Sequence, residues 1–181
     1  MRPHNTNKIL FSASDIDARL DTLAEDLAAG CRDRPLVIVG ILRGSFIFLA
    51  DLVRKLHVHG VNPQIDFMTL LSRGSGVETT GKVIIRKDIT VDVKDTNVVL
   101  VDDILDTGRT LHFAVQHLRD KGAANIQACM FLDKPSRREV PIEADFVGFE
   151  VDDVFVVGYG LDYDSYYREL PHVAEVLFLD E

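Results

Sequence analysis

Three carboxylates and a loop of small residues occupy one short stretch: Asp102, Asp103 and Asp106, running into Thr107-Gly108-Arg109-Thr110. The stretch follows four apolar residues, VVLV (98–101). Clustered acids repel one another and desolvate at a cost, so this pattern points to partners outside the chain. Between a strand and a helix start, residues 107–110 can turn backbone N–H groups and two hydroxyls toward one point. The helix dipole favours an anion there, and Gly108 allows close backbone approach. A phosphate monoester suits such a loop; an ordinary helix cap using Asp106 or Thr107 is the alternative. The pattern GxxxxGK[ST] is absent, which disfavours an ATP-hydrolysing loop. Consecutive strand residues alternate faces, so at most one of Asp102 and Asp103 points straight into a shared site unless the strand curls. Their chemistry suits vicinal sugar hydroxyls or a hydrated Mg²⁺. Asp106, inside the turn, suits proton exchange if its neighbours raise its affinity for a proton. Three solvated loop acids is the alternative for the set.

Residues 14–29 place Ile16, Leu20, Leu23 and Leu27 on one helical face, with Ser14 as N-cap and Gly30 as stop. LVIVGI (36–41) reads as a strand covered on both faces, and 44–57 resumes helical spacing. Residues 64–71 and 82–89 have strand character around a polar, Gly-rich loop, SRGSGVETTG (72–81). VVLV supplies another buried strand. Residues 110–122 form an amphipathic helix with Leu111, Ala114, Val115 and Leu118 inward, and strands follow at 126–133, 145–151 and 154–160. This alternation predicts an α/β protein with a mostly parallel twisted sheet flanked by helices, and no composition break suggests a second domain. Ligands bind beyond the carboxyl ends of such strands, and the loops after 36–41 and 98–101 should open on the same edge.

The 181 residues carry 20 Lys and Arg against 29 Asp and Glu, a net charge of −9, which argues against a nucleic-acid surface. The basic run Lys134-Pro135-Ser136-Arg137-Arg138 reads as a solvated loop. Cys31 and Cys129 lack metal-ligand spacing, and no apolar stretch reaches a membrane span. Both point to a cytoplasmic protein.

VVLVDDILDTGRT (98–110) resembles the phosphoribosyl-pyrophosphate motif of type I phosphoribosyltransferases. The resemblance implies that Asp102 and Asp103 face the ribose and its magnesium. Residues Asp106, Thr107, Gly108, Arg109 and Thr110 would hold the 5′-phosphate, with Asp106 also handling a proton. GILRGSFIF (40–48) resembles the pyrophosphate-binding loop of purine salvage enzymes, in which the Leu–Arg or Leu–Lys peptide is often cis. Leu42, Arg43 and Gly44 would then meet the diphosphate; a plain strand–helix turn is the other reading. SRGSGVETTG resembles the loop that closes over the active site, but Ser72 is followed by Arg73 where the family usually has tyrosine.

FLDKPSRRE (131–139) and VFVVGYGLDYDSYYREL (154–170) resemble the purine-binding segments of hypoxanthine-guanine phosphoribosyltransferases. By that match Lys134 donates to a 6-oxo group, Phe155 stacks on the purine and Val156 meets the base edge through its main chain. Ile104 covers the opposite face, Asp162 binds the diphosphate's magnesium, and Arg168 contacts the diphosphate. Taken singly, Phe155 reads as core, Lys134 as surface, Asp162 as a turn starter and Arg168 as half of a surface ion pair.

The resemblance implies one domain over 1–181, with a core at roughly 30–140. A small hood would be formed by the N-terminal segment and 141–181. It implies Mg²⁺, phosphoribosyl pyrophosphate, a purine base and a nucleoside monophosphate as ligands, with no nucleic acid or membrane, and a homodimer or homotetramer. The implied reaction makes IMP or GMP and diphosphate. A xanthine-preferring enzyme and an RNA-binding regulator on the same fold are the alternatives.

Overall fold

The computed structural model describes residues 4–31, 35–72 and 83–179. In chain order the elements are β1 (His4–Phe11), α1 (Ala13–Cys31), β2 (Leu36–Leu42), α2 (Phe46–Val58), β3 (Gln64–Ser72) and β4 (Val83–Lys87). They continue with β5 (Asn97–Leu105), α3 (Arg109–Asp120), β6 (Asn125–Asp133), β7 (Phe146–Glu150), β8 (Val156–Val157) and β9 (Val173–Phe178). Six strands form one sheet in the order β4-β3-β2-β5-β6-β7. All neighbours are parallel except β3 and β4.

Strand periodicity builds the layers. Ile38, Val99, Val101, Cys129 and Phe131 pack with α1 and α2 on one face of the sheet. Their alternates Val37, Val39, Val98, Leu100, Ala128 and Met130 pack with α3 on the other. The central strands are therefore apolar on both sides, as their sequences predicted.

The structure corrects several boundaries. Helix α1 is capped by Ser12, not Ser14: the Ser12 N–H and hydroxyl donate to Asp15, and the Asp15 N–H donates back to the Ser12 hydroxyl. This reciprocal pairing satisfies donors that Ser14 cannot reach. The strand expected at 154–160 shrinks to Val156–Val157, because Gly158, Tyr159 and Gly160 all take positive φ. The hood boundary expected at 141 also moves: β7 pairs with β6 in the main sheet. The smaller sheet is β1-β9-β8, all antiparallel, and the sequence pattern marks neither β1 nor β9 as a strand.

Candidate active site

The parallel strands β2 and β5 end side by side, Gly40 level with Val101, so the loops beyond them share one sheet edge. β5 runs on through both aspartates to Leu105, with Asp102 paired to Met130 and Ile104 to Leu132 on β6. Asp103 reaches across to the β2–α2 loop. A Cβ added at Gly44 would lie 1.5 Å from its Oδ2, so only glycine leaves room for that carboxylate. The Leu42–Arg43 peptide beside it is cis. The Ser45 hydroxyl turns back and donates to the Ile41 carbonyl at 2.6 Å, closing the loop from inside.

The Asp102 carboxylate bends back to accept the Asp103 N–H at 2.9 Å. The two acids thus sit against each other at the strand end, Asp102 folded back on the Asp103 backbone and Asp103 directed to the β2–α2 loop. Burial and the neighbouring Asp103 charge push Asp102 well above the usual carboxylate range. Burial raises Asp103 as well, against the lowering effects of the Asp102 contact, the Ile104 N–H and Arg168.

The 5′-phosphate loop candidate, 106–110, wraps the start of α3. The first intrahelical bond is His112 N–H to Gly108 carbonyl, at 2.9 Å. The Arg109 N–H donates weakly to the Thr107 hydroxyl at 3.5 Å, and the amides of Thr110 and Leu111, which precede the first intrahelical bond, face the N-terminal end of the helix where an anion is favoured. Gly108 has φ 84° and is crowded by Ile142, Arg138 and Val140, so both backbone conformation and space call for glycine. The loop is held by the basic 134–138 run and the residues after it, which are not the solvated loop that their charge predicts. Arg138 donates to the carbonyls of Leu105 (3.1 Å) and Asp106 and to the Asp133 carboxylate. The Glu139 and Val140 amides donate to the Thr107 carbonyl at 3.0 and 3.1 Å. Arg137 reaches Asp106 at 3.1 Å and Asp153 at 3.6 Å, and Arg109 pairs with Glu139. The one available signal was charge: two arginines follow Lys134 in a chain whose other notable cluster is three acids.

Lys134 is buried, 8% exposed, and its Nζ donates to the Val154 carbonyl at 2.6 Å. That bond ties β6 to the chain just before Phe155. Phe155 is 44% exposed rather than core, while Val156 is buried and Ile104 half-buried. Asp162 and Arg168 pair with each other at 2.7 Å. Asp162 also caps its turn through the Ser165 N–H at 2.7 Å, and Arg168 donates to the Gly160 carbonyl at 2.6 Å. The turn and ion-pair roles considered for them singly thus coexist, and Arg168 is close enough to act on Asp103. Arg73 and the rest of 73–82 lie outside the described residues, as does the Ser72 side chain.

Magnesium suits the donor set. Asp102, Asp103 and Asp162 offer hard oxygen ligands. Mg²⁺ is ordinarily held by one or two carboxylates with waters and substrate phosphates completing its shell. Among the described residues, no three His, Cys, Asp or Glu side chains gather into an all-protein cage. No helix among them is long and apolar enough to cross a membrane.

Comparison with known proteins agrees with this geometry. Residues 10–164 match the family model of the phosphoribosyl transferase domain. Hypoxanthine phosphoribosyltransferase of Escherichia coli K12 is 41% identical over 179 residues, 98% of this chain and 99% of that one. Hypoxanthine-guanine phosphoribosyltransferase of Aquifex aeolicus is 44% identical over 170 residues, 93% of this chain and 94% of the other. The crystal structure of a Staphylococcus aureus hypoxanthine phosphoribosyltransferase superposes with a TM-score of 0.89 at 37% identity, covering 95% of this chain and 92% of that one. A hypoxanthine-guanine phosphoribosyltransferase from Bacillus anthracis gives 0.88 at 34% identity, covering 97% and 100%. With the two strand-end loops, the acid pair and the glycine that admits it all in one place, the chain belongs to the phosphoribosyltransferase family, among the hypoxanthine and hypoxanthine-guanine enzymes.

Proposed function

We propose that the protein transfers ribose 5-phosphate from 5-phospho-α-D-ribosyl 1-diphosphate to N9 of hypoxanthine or guanine, giving IMP or GMP and diphosphate. The observation that carries the base assignment is the buried Lys134, held at the Val154 carbonyl beside a half-exposed aromatic ring. A fixed ammonium favours an acceptor at the purine 6-position, so a 6-oxopurine is bound and a 6-aminopurine leaves two donors facing each other. Phe155 stacks on the base, Ile104 covers its other face, and the Val156 main chain meets its edge.

Displacement at an anomeric carbon builds positive charge on the sugar and negative charge on the leaving diphosphate, so the catalytic demand is electrostatic. Arg168, oriented by Asp162 and the Gly160 carbonyl, faces the diphosphate together with Arg43 and the amides of the 42–44 loop. Asp102 and Asp103 lie toward the ribose and tolerate its positive charge. The amides at the start of α3 hold the 5′-phosphate. Magnesium, when bound through these carboxylates, would neutralise diphosphate charge. Asp106, which pairs with Arg137 at 3.1 Å, exchanges a proton with purine N7. The enzyme works as one cytoplasmic domain, its β1-β9-β8 hood over the base, in a homodimer or homotetramer.

A steady-state assay of hypoxanthine, guanine, xanthine and adenine with the donor and Mg²⁺ tests this reading. Turnover of hypoxanthine or guanine is expected. A clear preference for xanthine would revise the base, turnover of adenine alone would remove the Lys134 argument, and silence with all four would favour a binding protein.

A further inference from the structure

Three aromatic rings from three separate parts of the chain meet at the hood. Phe155 and Tyr163 stand edge-to-face at 5.5 Å and 76°, Phe155 and Phe178 at 5.9 Å and 66°, and Tyr163 and Phe178 at 5.7 Å and 83°. His4 extends the group: its ring is perpendicular to Tyr163 at 5.1 Å, and its Nε2 lies 2.8 Å from the Tyr167 hydroxyl. His4 and Phe178 are register partners on β1 and β9, and the Phe155 carbonyl accepts the Val176 N–H of β9 at 2.8 Å. The Phe155 backbone is thus pinned by β9, and its ring stands in steep, T-shaped contact with two others.

Edge-to-face packing sets a ring's tilt, because the electropositive rim of one ring prefers the electron-rich face of the next. An isolated phenylalanine at 44% exposure would sample several tilts, and stacking a planar base would then cost that freedom. Two aromatic neighbours reduce the cost before the ligand arrives. We infer that Tyr163 and Phe178 are positioning residues for the purine: they touch Phe155 rather than the base, and hold its ring in the stacking orientation. The hood termini, β1 and β9, thereby enter base recognition without contributing a ligand atom. This inference rests on the reading of Phe155 as the purine platform.

Steady-state kinetics of the full chain test it with the variants Phe178→Leu, Phe178→Tyr and Tyr163→Leu. Phe178 is 45% exposed and ends the last strand, so its replacement leaves the buried core intact. Phe178→Leu and Tyr163→Leu should each raise the purine KM about three- to tenfold, with kcat and the donor KM within about twofold of wild type. Phe178→Tyr, which keeps the ring, should restore the purine KM. An unchanged purine KM in both leucine variants would overturn the inference. So would a parallel rise in the donor KM, which indicates general loosening of the hood. The wild-type control separates the two levels: if it turns over no purine, the functional reading fails and takes this inference with it.

Discussion

Replacing Asp66 by asparagine removes a buried charge whose stabilising effect follows from its contacts. The carboxylate, 7% exposed, accepts the N–H groups of Phe67 (2.7 Å), Thr90 (2.5 Å) and Val91 (2.9 Å) and the Thr90 hydroxyl (2.9 Å). These bonds anchor the segment that leads from β4 into β5. Burial alone would raise its pKa, but the four donors outweigh burial and lower it from 3.8 to about 2. A difference of that size is worth about 2 kcal/mol of folding stability at neutral pH. Asparagine keeps one acceptor oxygen and turns an NH₂ group toward backbone donors, which adds about 1 kcal/mol of unmet hydrogen bonding. The expected loss is about 3 kcal/mol at pH 7, or a Tm lower by roughly 6–12 °C. The sign of the pH dependence follows from a depressed folded pKa. The stabilisation is fully present above the unfolded value of 3.8 and is lost as pH falls through about 2. Urea unfolding of wild type and variant at a series of pH values measures this directly. The gap between them should stay constant from pH 7 to 5 and narrow to about 1 kcal/mol near pH 2. Asp66 lies level with Val39, short of Leu42 on the neighbouring strand, so activity at 25 °C should stay within about twofold. A gap that does not change between pH 5 and pH 2 would refute the reasoning, because the stabilisation would then not come from the ionised form.

Gly44→Ala places a methyl on the Asp103 carboxylate; displacing that group by an ångström or more should lower kcat/KM at least about a hundredfold, while Tm falls only a few degrees. Near-normal kinetics would mean that Asp103 moves aside without consequence. Arg138→Met removes the bonds to Leu105, Asp106 and Asp133 and should cost about 2–4 kcal/mol in urea unfolding. Its donor KM should rise more than its purine KM, since the loop it holds is the one proposed to take the phosphate; equal rises would argue against that assignment. Lys134→Gln should lower kcat/KM for hypoxanthine about ten- to a hundredfold and leave adenine turnover nearly flat, which a parallel assay of both bases reads out. Asp106→Asn should reduce kcat far more than it alters the donor KM, and a loss confined to binding would make Asp106 a structural cap.

The sequence alone determined the layers and pointed to the sheet edge proposed for the site. Unbroken apolar runs such as LVIVGI and VVLV, each followed by small and polar residues, read as strands buried on both faces that end in loops at one edge. It also carried the chemistry proposed for the 98–110 stretch, because the residues that would recognise phosphate and sugar are adjacent in the chain. What it did not disclose depends on long-range pairing. β1 has no alternating apolar pattern and its burial is only partial, so its strand character comes from β9, more than 160 residues away. The Arg138 clamp was hidden for the same reason: a basic run looks solvated until the fold sets it beneath the carbonyls of another loop. Lys134 and Phe155 exchanged their ordinary places, the cation buried and the ring exposed, and only the tertiary structure decides that, since burial depends on which segments return to cover a residue. Asp103 and Gly44 state the division most plainly. The residue types are written in the sequence, but the requirement for glycine comes from a carboxylate on a different strand.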